Sequence, residues 1–243
     1  GGNPNLKPEK GENLNLGIIY TPARLSQLTL KADYWRIKVS DIIVIPSIQD
    51  LYNGISPVGT ITRDASQYPT FDIRVTNGGV IDAEGFDLGA SYHLNLGGLG
   101  RVTFDGNATY TTTFERIFGP TGTEFLGTWT SGYGSMPKLR AMLGANWRRG
   151  PWDAGAFLHY KRGLNEIVSG RTRRIEDYTT GDFQIAYNFG AQATRVLRNT
   201  RVYVGVENWW DEALPFVNTS ADGWDRESDY RGRYVSAGFR KKL

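Results

Sequence analysis

The chain contains no cysteine and only two histidines, His93 and His159, in 243 residues. Without thiols it forms neither disulfides nor thiolate metal sites. Two histidines leave little material for a histidine-based metal centre. No window approaches about 18 uninterrupted apolar residues, which excludes a transmembrane helix. Charge of one sign is missing too. The 28 basic and 25 acidic side chains leave a net charge of +3, and with no continuous basic stripe nucleic acid is not an expected partner. Apolar residues make up 40%, below the roughly 45–50% of an average globular domain, which argues against a thick α/β core covered on both faces. The opening Gly1-Gly2-Asn3-Pro4 has neither the charged nor the apolar region of a signal peptide, and the chain reads as a piece of a longer precursor.

Glycine, by contrast, is abundant at 30 residues, well above the average share of about 7%, as in turns, bulges and tapering sheets. The dominant pattern is period-two alternation. From Arg101 to Glu115 the odd positions are all polar, whereas Val102, Phe104, Gly106, Ala108, Tyr110, Thr112 and Phe114 carry no charge. Phe86, Leu88, Ala90, Tyr92, Leu94 and Leu96 alternate in the same way with Asp87, Gly89, Ser91, His93 and Asn95. Such strands have one face in an apolar medium and the other in water. The pattern predicts an all-β chain, an antiparallel up-and-down meander of nine long strands near residues 13–20, 27–39, 80–96, 100–115, 138–149, 151–161, 178–189, 200–210 and 232–243. Helical periodicity is scarce, and Ala191–Leu197 is its best candidate.

The connections alternate short and long: residues 21–26, 97–99, around 150 and 190–199 are short, and 40–79, 116–137, 162–177 and 211–231 are long. One rim therefore carries tight turns and the other large loops, the arrangement of an outer-membrane barrel with periplasmic turns and extracellular loops. A soluble sandwich has no reason to sort its loops this way. Tyrosine and tryptophan gather toward strand ends, among them Tyr34, Trp147, Trp152, Tyr160, Tyr187, Trp209 and Trp210. They suit an interfacial girdle, although a packed sandwich core would use them too.

Several ordered segments resemble one family. Asn3-Pro4-Asn5-Leu6-Lys7-Pro8-Glu9, followed by Glu12-Asn13, resembles the NPNLKPE motif of TonB-dependent outer-membrane receptors. Asp33–Ile37 resembles that family's DYWRI pattern, and Glu207–Glu212 its NLFDE segment with Trp209-Trp210 in place of Leu-Phe. Asn218–Asp225 with Arg231-Gly232-Arg233 resembles the family's ending. The resemblance implies that residues 1–243 form the C-terminal portion of a 22-strand transmembrane β-barrel, an open curved half-shell when it stands alone. It also implies that the plug domain and the TonB box are absent from this stretch. The last strand resembles a signal for the barrel-assembly machinery through Gly238, Phe239 and Leu243, although the family usually ends in phenylalanine. Lys241, on the apolar face of that strand, is expected to snorkel to the interface.

No constellation for catalysis is found: the acidic pairs Glu176-Asp177 and Asp211-Glu212 read as solvated loop charges, and no G-x-S-x-G elbow occurs, so the chain is not expected to be an enzyme. No cofactor and no metal site are expected. Polar strand positions such as Lys31, Asp33, Asp105, Asn107, Arg140, Lys161, Asp182 and Gln184 would line the lumen, where their mixed charge suits a polar plug, with direct ligand contact as the other reading. Candidate ligand contacts in the loops are Trp129, Tyr133 and Trp224 for stacking, and Arg171, Arg173 and Arg174 for an anionic ligand or lipopolysaccharide phosphates. The function implied is TonB-energised uptake of a scarce nutrient, of the siderophore, cobalamin or oligosaccharide class, across the outer membrane of a Gram-negative cell. The partners implied are membrane lipid and lipopolysaccharide, the TonB complex through the N-terminal plug, the assembly machinery and a small-molecule ligand. The alternative is a soluble all-β carbohydrate-binding module, whose apolar faces would pack on each other. A complete small porin-like barrel is disfavoured by the odd strand count.

Overall fold

The computed structural model describes residues 2–45, 48–52, 59–118, 121–130 and 134–241; Tyr133 and Leu243, both singled out above, lie outside them. Nine long strands follow one another in an antiparallel meander: β1 (Lys10–Tyr20), β2 (Leu28–Ser40), β3 (Val80–Asn95), β4 (Arg101–Phe118), β5 (Leu139–Arg149), β6 (Trp152–Lys161), β7 (Tyr178–Asn188), β8 (Thr200–Glu207) and β9 (Tyr234–Lys241). Each pairs with its sequence neighbours, and β1 and β9 do not pair with each other, so the sheet is not closed.

One strand end and one connection differ most from expectation. β8 stops at Glu207 because Asn208 turns into the left-handed region (φ 48°). The Asn208 side chain closes that turn, accepting from the Glu212 amide at 2.8 Å and donating to the Glu212 carbonyl at 3.0 Å, a role asparagine fills readily. The stretch 191–197 is no helix; a single turn forms where Leu197 and Arg198 both donate to the Thr194 carbonyl. The long connections contain short hairpins that alternation alone does not announce, including Leu164–Val168 with Arg171–Ile175 and Trp129–Thr130 with Gly134–Ser135.

Contacts divide the chain into two units. The first comprises residues 1–16, 34–85 and 111–126. There the residues of the opening motif are used structurally. Asn3 donates to the Val75 carbonyl at 3.0 Å, the Lys7 amide to Asn77 Oδ1 at 2.7 Å, and Glu9 accepts from the Ile43 amide at 2.6 Å. Asp82 and Glu84 lie in the same period-two row as Phe86 and Leu88 but hold Arg36 and Tyr34, each at 2.9 Å. The row thus changes from apolar to charged along β3, which marks the end of the apolar band.

The second unit comprises residues 17–33, 86–110 and 127–243. Its register assembles a continuous apolar face: Phe104, Ala145, Ala156, Phe183, Val206 and Val235 stand in one row, and Val102, Trp147, Ala154, Ile185, Val204 and Ala237 in the next. Apart from Trp209 and Trp210 at one end, no second layer covers this face among the described residues, and Leu143 and Phe239 are 60% and 76% exposed. Aromatics bracket the band. Trp152, Tyr187 and Phe189 form an edge-to-face ladder with centroids 4.8 Å apart near the short-turn rim, where Trp147 also donates to the Leu99 carbonyl at 2.8 Å. Toward the long-loop rim Tyr160 donates to Asp177, and Trp209 and Trp210 lie over Gly181. From Trp152 to Tyr160 the strand extends about 27 Å at about 3.4 Å per residue, enough, when tilted, to cover most of an apolar band about 25 Å tall.

Candidate ligand-binding cavity

Buried residues of the second unit concentrate in its loops. The hairpin Leu164–Val168/Arg171–Ile175 turns through Ser169 and Gly170, both at positive φ (49° and 76°). A two-residue turn of this hand matches strand twist and takes glycine readily. Period two puts Leu164 and Glu166 on one face opposite Ile175 and Arg173. Leu164 and Ile175 join Trp129 and Val217 in a cluster where Leu164 is 2% and Val217 0% exposed.

Glu166 shares this interior at 1% exposure. It accepts from the amides of Asn218 and Thr219, each at 3.0 Å, from the Thr219 hydroxyl at 2.7 Å, and from Arg173. Arg173 donates further to the Phe216 carbonyl at 3.0 Å and stands 5.0 Å over the Phe216 ring. Burial opposes ionisation of Glu166, but the two amides, the hydroxyl and the guanidinium outweigh it and hold the carboxyl below its usual range.

From Val217 the loop folds back on itself. Val217 donates to the Gly223 carbonyl at 2.9 Å and Ser220 Oγ to the Trp224 carbonyl at 2.8 Å, and Phe216 bridges Trp224. Lys161, at the end of β6, then donates to Asp225 at 2.5 Å and to Ser228 at 2.7 Å. Burial pushes Asp225 toward its neutral form, and the Lys161 ammonium beside it reverses this, leaving the carboxyl below its ordinary range. Arg140 pairs with Glu227. Between this stretch and the polar strand faces lies a cavity of about 550 Å³, lined among others by Asn107, Arg140, His159, Lys161, Glu227 and Asp229. A second cavity of about 730 Å³ lies toward the short-turn rim. There Asp153 accepts from Arg148 and Arg201, each at 2.6 Å, and Arg101 lines the wall as well.

The lumen positions Asn107, Arg140, Lys161 and Asp182 meet in the first cavity, and His159 stands 3.0 Å from Asp182. The loop residues separate. Trp129 is buried in the cluster, with its ring engaged in packing. Arg173 is committed to Glu166, and Arg174 pairs with Asp177 at 2.8 Å. Arg171 has no ion pair among the described residues, and Trp224 is partly exposed. On β9, Gly238 faces Tyr203 in register; a Cβ there would stand 2.6 Å from the Tyr203 hydroxyl, so only glycine lets that ring lie across the strand. Phe239 belongs to the exposed apolar face. Lys241 donates to the carbonyls of Arg195 and Val196, the latter at 2.7 Å, and so caps the adjacent turn. Sequence reasoning missed Glu166, although Ser169-Gly170 between alternating residues was a readable hairpin signal.

A one-layer antiparallel meander, apolar on one face and polar on the other, with packed loops along one rim, defines the wall of a membrane-spanning β-barrel. No helix among the described residues is long and apolar enough to cross a membrane. The family model described as TonB dependent receptor-like, beta-barrel matches residues 1–208, and the chain belongs to that family of outer-membrane receptors and transporters. No curated protein matches the sequence. Among solved structures, the FrpB iron transporter of Neisseria meningitidis is similar over 98% of this chain and 32% of its own, with 13% identity and a TM-score of 0.62. The siderophore receptor PirA of Acinetobacter baumannii covers 96% and 32%, with 16% identity and a TM-score of 0.61. The copper transporter OprC covers 97% and 31%, with 19% identity and a TM-score of 0.58. The chain thus spans about a third of these solved relatives, and at such identity the likeness is one of fold.

Proposed function

We propose that this chain is the C-terminal part of the barrel of an outer-membrane receptor that takes up a scarce nutrient with energy delivered through TonB. On this reading a plug domain and TonB box precede it, the apolar face meets lipid, and the long loops are extracellular. The observation that carries the reading is the polar cavity of about 550 Å³ at the long-loop end, walled by strand residues on one side and by Glu227, Ser228 and Asp229 on the other. Mixed charges held in pairs, as at Arg140–Glu227 and Lys161–Asp225, suit a ligand rich in polar groups, of the siderophore, cobalamin or oligosaccharide class. Arg171 and Trp224 remain as candidate loop contacts for it, outside the cavity lining. On this reading the part played is capture, lumen lining and passage. Arg101, Arg148 and Arg201 at the other end offer positive charge to the plug surface.

The reading is tested by expressing the full receptor in cells that lack other receptors of its kind and following labelled ferric siderophores, cobalamin and oligosaccharides. Accumulation of one of them should stop in cells without TonB and on collapse of the inner-membrane proton gradient. Accumulation indifferent to both would remove the energised mechanism. Binding of an oligosaccharide by a water-soluble, detergent-free form of this chain would favour the carbohydrate-binding module instead.

A further inference from the structure

We propose that Glu166 is a positioning residue for the ligand cavity: it fixes the loop 211–231 so that Glu227, Ser228 and Asp229 stand in the cavity wall. The proposal rests on the reading of that cavity as the ligand site, but the effect of Glu166 on the loop is measured without ligand.

A carboxylate at 1% exposure in a surface loop is costly unless its oxygens are fully partnered. Those of Glu166 are, and every partner depends on a single backbone shape. Two consecutive amides, of Asn218 and Thr219, point at one carboxylate together with the Thr219 hydroxyl. Arg173, directly opposite Glu166 in the hairpin register, joins the carboxylate to the Phe216 carbonyl. Packing alone does not require this. Leu164, Ile175, Trp129 and Val217 already fill the interior, and an apolar residue at position 166 would extend that cluster without orienting the two amides.

The orientation passes down the loop. Ser220 donates to the Val217 carbonyl at 3.3 Å, Gly223 to the Ser220 carbonyl at 3.2 Å, and Phe216 bridges Trp224. Arg226 holds Asp222, and the Ser228 amide donates to the Asp225 carbonyl at 3.0 Å. A hydrogen-bonded turn therefore runs from Phe216 to Ser228. It is pinned at its start by Glu166 and at its end by Lys161, which reaches Asp225 and Ser228 from the strand side. Glu166 is absent from the cavity lining, so it acts through this turn.

The test uses the full receptor in liposomes and follows amide hydrogen exchange. Glu166→Ala should accelerate exchange at residues 216–220 and also at 225–229, by roughly 10- to 100-fold, as expected when buried donors lose their acceptor. The amides of β5–β7 should be unchanged. Glu166→Gln, which keeps the shape but turns an NH₂ toward donors, should fall between wild type and alanine. If Glu166→Ala does not insert, Thr219→Val removes one donor only and should accelerate the same two segments several-fold. A second readout exploits the absence of cysteine from this chain: spin labels at the exposed Ile167 and Tyr230 should give one narrow distance distribution that broadens in both variants. Acceleration confined to 216–220, with 225–229 and the label distance unchanged, would overturn the proposal, as would no acceleration at all. Loss of TonB-dependent uptake by the wild type would defeat the transport reading and leave these measurements standing.

Discussion

Leu143 and Leu164 are the same side chain in opposite surroundings. Leu143 lies on the long meander at 60% exposure, on an apolar face with no second layer over it among the described residues, whereas Leu164 lies in a rim hairpin at 2%. In a water-soluble protein the arrangement is normally reversed, with strands supplying the core and loops the solvated surface. Here the sheet is one layer thick and the described residues form no second layer over its apolar face, while the loops build a small core of their own around Trp129, Leu164, Ile175 and Val217. The two regions therefore obey different rules of packing. The sheet is stabilised by its ladders and by the medium against its apolar face; the loop cluster is stabilised by close packing and by fully partnered charges.

The largest test of that contrast is a charge placed on the face of the sheet. Ala156 sits midway along β6 between Trp152 and Tyr160 and is paired with Ala145 and Phe183. Ala156→Arg should cost about 2–4 kcal/mol of folding stability in lipid, as for arginine near a bilayer midplane. Measured by urea unfolding in liposomes, a cost within about 0.5 kcal/mol, normal for a water-exposed strand, would sink the lipid-facing assignment. Next comes a matched pair. Leu164→Ala leaves a cavity and should cost about 3 kcal/mol locally, read as faster exchange throughout the loop cluster. Leu143→Ala loses only the transfer contribution, about 1–2 kcal/mol, because lipid chains refill the space. Equal costs at the two positions would erase the distinction.

Acidification should separate the regions as well. The carboxyls of Glu166 and Asp225 are held below their ordinary values of 4.5 and 3.8. Depressed folded values mean that the unfolded loop binds more protons at low pH. Their stabilisation is therefore complete above about pH 4.5 and is lost progressively as the pH falls below it. Protection of residues 164–175 and 216–229, taken as exchange relative to the intrinsic amide rate at each pH, should fall on acidification while that of β5–β7 is kept, and Glu166→Gln should weaken the dependence. Parallel loosening of the strands would show the two regions to be one cooperative body. The smallest effect is expected at Arg171, which has no ion pair among the described residues. Arg171→Ala should change stability by less than about 0.5 kcal/mol, so a loss of ligand affinity in that variant would report capture and not folding.

Much of the sheet was legible because its signal is local. Alternation from Arg101 to Glu115 needs only neighbours two residues apart, and all nine strands lie where that pattern places them. The ends were less legible. β8 stops at Glu207 through a side-chain-closed turn at Asn208, a choice made by one residue against the apolar bulk of Trp209 and Trp210. In the cavity, period two assigned Asn107, Arg140, Lys161 and Asp182 to the polar face, and they do line it. The loop candidates were chosen by residue type alone, and type does not tell a stacking tryptophan from a packed one. Trp129 is packed, and Arg173 is bound to a carboxylate.

By itself, then, the sequence determined the strand period, which face of each strand is apolar, the sorting of short and long connections, and the family. These follow from near neighbours, since side-chain direction in a strand is set by backbone geometry at each residue. Only the tertiary structure decided that Glu166 is a buried anchor and not a solvated loop charge, and that Lys161 is a clamp on Asp225 and Ser228. Their partners in the loop 211–231 stand 52 to 67 residues away, and a pairing across that distance is fixed by the fold that brings the loops together.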